Sequence, residues 1–155
     1  MPEPEWLTDD EQRAWRGLLQ MTARLGNRLN RDLQQTSSLS VADYDVLVQL
    51  SETPGGRLRV FEVAEYLQWE QSRLSHHLAR MQRRGLVVRE ECTTDRRGAY
   101  AVLTDAGREA IEKAAPAHAA TVRRVVFAGL SPEQVAALEA ITTEVLSRLD
   151  PPPEP

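Results

Sequence analysis

The stretch that decides the fold is QSRLSHHLARMQRRG at positions 71–85. Set on a helix at about 100° per residue, Leu74, Leu78 and Met81 fall on one side, within about 60° of arc. The opposite side holds Ser72, His76, Ala79 and Arg83, with Arg73 and Arg80 flanking it. One face forms core. The other presents short hydroxyls, an imidazole, a methyl group and guanidinium groups. From Gln71 to Arg84 there are four Arg and no acid. An ordinary solvated helix mixes Glu with Lys or Arg, so this face points to an anionic partner. Its short side chains suit approach to base edges, and its Arg forks suit phosphates and guanine. Glu70, just ahead, is the one residue there that repels phosphate. Gly85 stands where a C′ glycine ends a helix.

The neighbours complete a unit. Phe61 to Leu67 reads as a short helix, and Gln68-Trp69-Glu70 makes a tight connection to the next helix, Glu70 to Arg84. Leu58-Arg59-Val60 reads as a short edge strand. Leu86 to Arg89 begins a strand, Thr93 to Gly98 is a turn cluster, and Ala99 to Leu103 is the returning strand. Two short helices on a tight turn, then a hairpin with a basic tip, outline a winged helix-turn-helix from about Leu58 to Leu103. At the tip, Arg96 and Arg97 are candidates for the minor groove, where a narrow groove concentrates negative potential. Asp95 is placed to brace such an Arg through a bidentate pair.

Longer helices flank this unit. Thr8 and Glu11 form a capping box, and Leu18, Met21, Leu25, Leu29 and Leu33 recur at helical spacing, so a helix is expected over Asp9–Leu33. Thr36-Ser37-Ser38 reads as a polar break. Ser40 caps a second helix with Val41, Tyr44, Leu47 and Val48 as its apolar stripe, ended by Pro54-Gly55-Gly56. Thr104-Asp105 starts a helix expected to reach about Ala128, with Gly107 near its start and Pro116 as a kink or bend. Ser131-Pro132-Glu133-Gln134 starts the last helix, striped by Val135, Leu138, Ile141, Val145 and Leu149. The expected fold is mainly α with a small β-hairpin wing. Helical dimerisation regions span 1–34 and 105–150, the winged domain spans 40–104, and a disordered tail spans 151–155.

Composition agrees. The chain has 155 residues, 41% hydrophobic and only 5% aromatic, which suits Ala-, Leu- and Val-rich helices. The net charge of −4 hides an uneven distribution. Arg57 to Leu103 carries nine Arg against six Asp or Glu, a balance of +3, and every basic residue there is Arg. One cysteine, Cys92, excludes an internal disulfide. No apolar run approaches the roughly 18 residues of a membrane span, and the acidic start Met1-Pro2-Glu3-Pro4-Glu5 is unlike a signal peptide. A cytoplasmic protein with no membrane partner is expected.

The segments Val63 to Leu67, Ser72 to Met81, Arg84-Gly85-Leu86-Val87, Asp95-Arg96-Arg97-Gly98 and Leu103 to Arg108 together resemble the MarR (multiple-antibiotic-resistance regulator) family. The resemblance runs along nearly the whole chain. It implies a homodimer whose outer helices intertwine and whose two winged domains face successive major grooves of a pseudo-palindromic site. By position it makes Ser72, Arg73, Ser75, His76 and Arg80 major-groove readers, and Arg97 the minor-groove residue braced by Asp95. It also implies a ligand-responsive repressor with a small aromatic effector. The uncovered stripes of the outer helices call for a second chain on their own account.

Other chemistry is thin. His76 and His77 are adjacent, so their side chains diverge by about 100°, a poor arrangement for a shared metal. His77 falls near the Leu74 edge and reads as a packing or hydrogen-bonding residue. Cys92 lies beside Glu90 and Glu91, which disfavour a reactive thiolate and leave a redox role as a minor alternative. Trp15, Tyr44 and Trp69 are candidates for an effector cleft, with ordinary packing as the competing account. No nucleophile motif, phosphate-binding glycine loop or ligand cluster indicates an enzyme or a cofactor. The competing function is a winged-helix protein-interaction or structural module without specific operator binding.

Overall fold

The computed structural model describes residues 6–91 and 98–149. The expectations for Cys92, Asp95, Arg96, Arg97 and the tail therefore lie outside the described residues. The chain divides into two units, Met1–His118 and Ala119–Pro155.

Helix α1 (Asp9–Ser37) opens on the expected capping box, with Thr8 Oγ1 accepting from the Glu11 amide and Glu11 accepting from the Thr8 amide at 2.7 Å. It runs four residues past the expected end. Thr36 and Ser37 fold their hydroxyls onto the Asp32 and Leu33 carbonyls at 2.8 and 2.7 Å, so the polar run stays inside the helix. Ser38, at φ 59°, ends it. Helix α2 (Val41–Glu52) has its own capping box between Ser40 and Asp43. Its buried residues are Asp43, Val46, Leu47 and Leu50, whereas the expected Val41, Tyr44 and Val48 are only partly buried. The helix packs against α1 and three later elements, so it is covered on more than one side and a single stripe does not describe it.

A tight turn over Pro54–Gly56 leads into strand β1 (Arg57–Arg59), then helices α3 (Val60–Leu67) and α4 (Gln71–Arg83). Strands β2 (Val87–Glu91) and β3 (Ala99–Leu103) follow. The sheet is antiparallel in the order β1-β3-β2, with Leu58 opposite Ala101 and Val88 opposite Val102. The edge strand is thus real but shifted one residue toward the N-terminus, and it ends at Arg59 because Val60 opens α3.

Two backbone devices hold the wing to α4. The first ends α4: Gly85 at φ 74° lets its amide reach the Gln82 carbonyl and the Leu86 amide reach Met81, a Schellman closure. The second starts α5 (Asp105–Val122). The Thr104 hydroxyl lies 2.6 Å from the Gly85 carbonyl and accepts from the Gly107 amide at 2.9 Å. A β-carbon on Gly107 would sit 2.0 Å from the Leu86 carbonyl oxygen. Gly107 is therefore required by close backbone approach, a reason its modest cost to helix propensity does not reveal.

The core of this unit joins Leu33, Val46, Leu47, Leu50, Val63, Leu74, Leu78, Met81 and Val87 with Ile111 and Ala114. Most of α1 lies outside it. Trp15, Leu18, Leu19 and Met21 are exposed. Helix α5 continues through Pro116 to Val122, where a π-helical turn over Arg123–Phe127 replaces the single helix expected to Ala128. In the second unit, α6 (Pro132–Leu149) starts on a Ser131–Gln134 box and buries none of its residues. Ile141 is 61% exposed. Among the described residues, no helix is long and apolar enough to cross a membrane.

Candidate nucleic-acid interface

The site is built on α3, the turn after it and α4. Helix α3 ends at Gln68 in the left-handed region (φ 53°), and the Trp69 amide returns to the Ala64 carbonyl at 2.9 Å. This reverses the chain in three residues and starts α4 at Gln71. Leu74, Leu78 and Met81 are buried, which fixes how α4 rolls on the core. The roll leaves Ser72, Arg73, His76, Ala79, Arg80 and Arg83 exposed, with Ser75 partly buried. All the α4 residues expected to face DNA thus share one accessible surface.

That surface is partly ordered from behind. The Arg73 guanidinium lies 4.3 Å over the Trp69 ring, a cation–π contact. The Trp69 and His77 rings meet at right angles, 5.4 Å between centroids. Arg80 Nη2 donates to His77 Nδ1 at 2.8 Å. A guanidinium cannot accept, so Nδ1 is the acceptor and the ring proton sits on Nε2. Nε2 is 3.1 Å from Asp43 Oδ1, off the line of a well-formed hydrogen bond, so this contact is chiefly electrostatic.

Asp43 is the deepest charge here and the one sequence reasoning missed. It is 4% exposed. Its Oδ2 accepts from the Ser40 amide at 2.9 Å and from Arg84 Nη1 at 2.7 Å, while Arg84 Nη2 reaches the Ser38 carbonyl. Burial alone would raise its pKa. The contacts with His77, the Ser40 amide and Arg84 outweigh burial and hold the carboxyl well below the usual range. The cluster ties the α1–α2 junction to the end of α4. Its only sequence signal was the Ser40–Asp43 cap. The partners, 34 and 41 positions away, were not legible.

The three candidate cleft residues have different surroundings. Trp69 lines an open cleft of about 610 Å³ with Phe61, Glu65, Gln68, Ser72 and Arg73, and this lining includes neither Trp15 nor Tyr44. Tyr44 stacks on His118 at 4.3 Å. Burial lowers the His118 pKa and raises that of Asp45, while their mutual attraction opposes both shifts. Trp15 stands exposed on α1. On the wing, Arg57 pairs with Glu90 at 3.2 Å and covers the Tyr100 ring at 3.8 Å. The described hairpin closes at Glu91 opposite Ala99.

The profile of the MarR family matches residues 37–98. Sco3205 from Streptomyces coelicolor, a MarR family transcriptional regulator solved in complex with DNA, is 41% identical. It superposes with a TM-score of 0.92 over 97% of this chain and 95% of that one. AbsC, another MarR family regulator from the same organism, is 42% identical with a TM-score of 0.88, over 94% of this chain and 98% of that one. YkoM of Bacillus subtilis (strain 168), an HTH-type transcriptional regulator, is 39% identical over 61 residues. That match spans 39% of this chain and 39% of YkoM.

Proposed function

The chain belongs to the MarR family of DNA-binding transcriptional regulators, and from that premise we propose that it is a homodimeric, ligand-responsive repressor of a pseudo-palindromic operator. The observation that carries this reading is the acid-free, arginine-bearing face of α4, rolled outward by the burial of Leu74, Leu78 and Met81. Ser72, Arg73, Ser75, His76 and Arg80 read the major groove, and Arg83 adds charge along the same face. Arg96 and Arg97, braced by Asp95, extend the contact into the minor groove. The exposed apolar faces of α1 and α6 supply the dimer contacts, and a two-fold dimer matches an inverted repeat. Sco3205, which shares the fold at 41% identity, was captured on DNA.

The test is capture of genomic fragments by the full-length protein, then titration of the recovered duplex over a range of salt. The reading expects a two-fold site bound by a dimer, with log K falling linearly in log salt. No salt-dependent duplex binding would favour an interaction module instead. Placing the recovered site between a promoter and a reporter, with and without small phenolic compounds, decides the sign of regulation and the ligand response.

A further inference from the structure

We propose that His77 is a positioning residue for DNA recognition, holding the Arg80 guanidinium from the buried side of α4 while Asp43 holds His77. This rests on the reading of Arg80 as a DNA contact. His77 is 6% exposed, so it reaches no groove itself. Its ring is held by the perpendicular Trp69 ring on one side and Asp43 on another. Its Nδ1 lone pair takes one Nη2 proton of Arg80.

The consequence is preorganisation. A free arginine gives up much rotamer freedom when it docks, and ordering it beforehand removes that cost from binding. The bond to His77 uses one of five guanidinium donors. The others remain for a bidentate partner such as guanine O6 and N7. An arginine fixed in direction tells a base edge from a phosphate better than one free to swing. Arg83, one turn on, has no such partner among the described residues and serves as the internal comparison. The buried pair Asp43–His77 therefore links the α1–α2 junction to one exposed reading side chain, Arg80.

The experiment uses the full-length protein and a duplex selected from a randomised library by the wild type, with a shuffled duplex as reference. His77→Gln keeps an amide N–H near the Nε2 position and loses the acceptor at Nδ1. His77→Asn keeps a carbonyl near Nδ1. His77→Gln is expected to weaken binding to the selected duplex by roughly two- to tenfold per half-site. The shuffled duplex should be bound as before, and the salt slope should not change, because no charge is altered. His77→Asn should restore most of the loss. In an Arg80→Ala background the effect of His77→Gln should disappear, because the two act as one unit.

Equal losses from His77→Gln with and without Arg80 would overturn the inference and leave the reader assignment standing. So would a His77→Asn variant no better than His77→Gln. An Arg80→Ala variant that binds as wild type would overturn both. Nitrogen relaxation of the arginine Nε groups in the free wild type gives a check that needs no variant. Arg80 is expected to be more ordered than Arg83, and equal mobility would overturn the inference.

Discussion

At the scale of single residues, the polar groups behind α4 carry more than the exposed ones. Asp43 is stabilised as a carboxylate in the folded chain relative to the unfolded one. That stability is fully present above its ordinary value of 3.8 and is lost as the pH falls through and below it. Asp43→Ala leaves the Arg84 guanidinium without its counter-charge and His77 Nε2 without the carboxylate beside it, and is expected to cost about 3 kcal/mol at pH 7, the lower end for a broken buried pair because Arg84 is partly solvated. Denaturant titrations at pH 7, 5 and 3.5 should show the gap to wild type narrowing toward acid. A constant gap would mean that the side chain matters for packing and not for charge. Gly107→Ala drives a methyl group into the Leu86 carbonyl and should cost about 3 kcal/mol at an unchanged denaturant slope. Gly85→Ala, which strains only a left-handed backbone in open space, should cost about 1 kcal/mol. The ratio of these two costs separates close approach from backbone conformation.

At the scale of the element, α4 acts through its roll. Three buried apolar side chains decide which residues face outward, and three arginines without an acid, Arg73, Arg80 and Arg83, decide what that face attracts. A phosphate contact and a base contact on the same helix have different signatures. Replacing a phosphate-binding arginine by Ala should weaken binding to every duplex alike and reduce the salt slope by roughly one per contact. Replacing a base reader should cost about 1–3 kcal/mol at one base position and relax the preference there. Arg83→Ala is expected to behave in the first way and Arg80→Ala in the second, read by anisotropy titrations on single-base variants of the site. The same losses for both variants on all duplexes would place Arg80 on the backbone too.

At the scale of the whole molecule, the uncovered apolar faces are the main unmet demand. The N-terminal half of α1 shows Trp15, Leu18, Leu19 and Met21, and α6 buries nothing within its unit. Apolar surface removed from water stabilises association by roughly 25 cal/mol per Å² before the entropic cost of joining two chains. Leu18→Glu and Ile141→Glu should each shift the protein toward monomer in sedimentation equilibrium. They should also weaken binding to a two-half-site duplex far more than to a half-site. A variant that stays dimeric with both faces charged would place the dimer contact elsewhere.

Much of this was written in local patterns. The reversal at Gln68–Glu70, the capping boxes at Thr8, Ser40 and Ser131, the glycine after Arg84 and the outward face of α4 all depend on residues within a few positions of one another. Helical period and cap chemistry therefore exposed them, along with the mainly helical winged fold, and the motif segments carried the resemblance to the family. What tertiary structure alone decided came from residues far apart in the chain. The extension of α1 through Ser37 is the exception, a local effect in which hydroxyls that look like a break turn back onto carbonyls four residues earlier. The burial of α2 on several sides is long-range. The close approach that demands Gly107 depends on the Leu86 carbonyl, and the Asp43 cluster joins positions 38 to 84. The helix quoted first keeps the face its spacing implied. The same spacing set His77 on its inner edge, and only the fold put a carboxylate against that histidine.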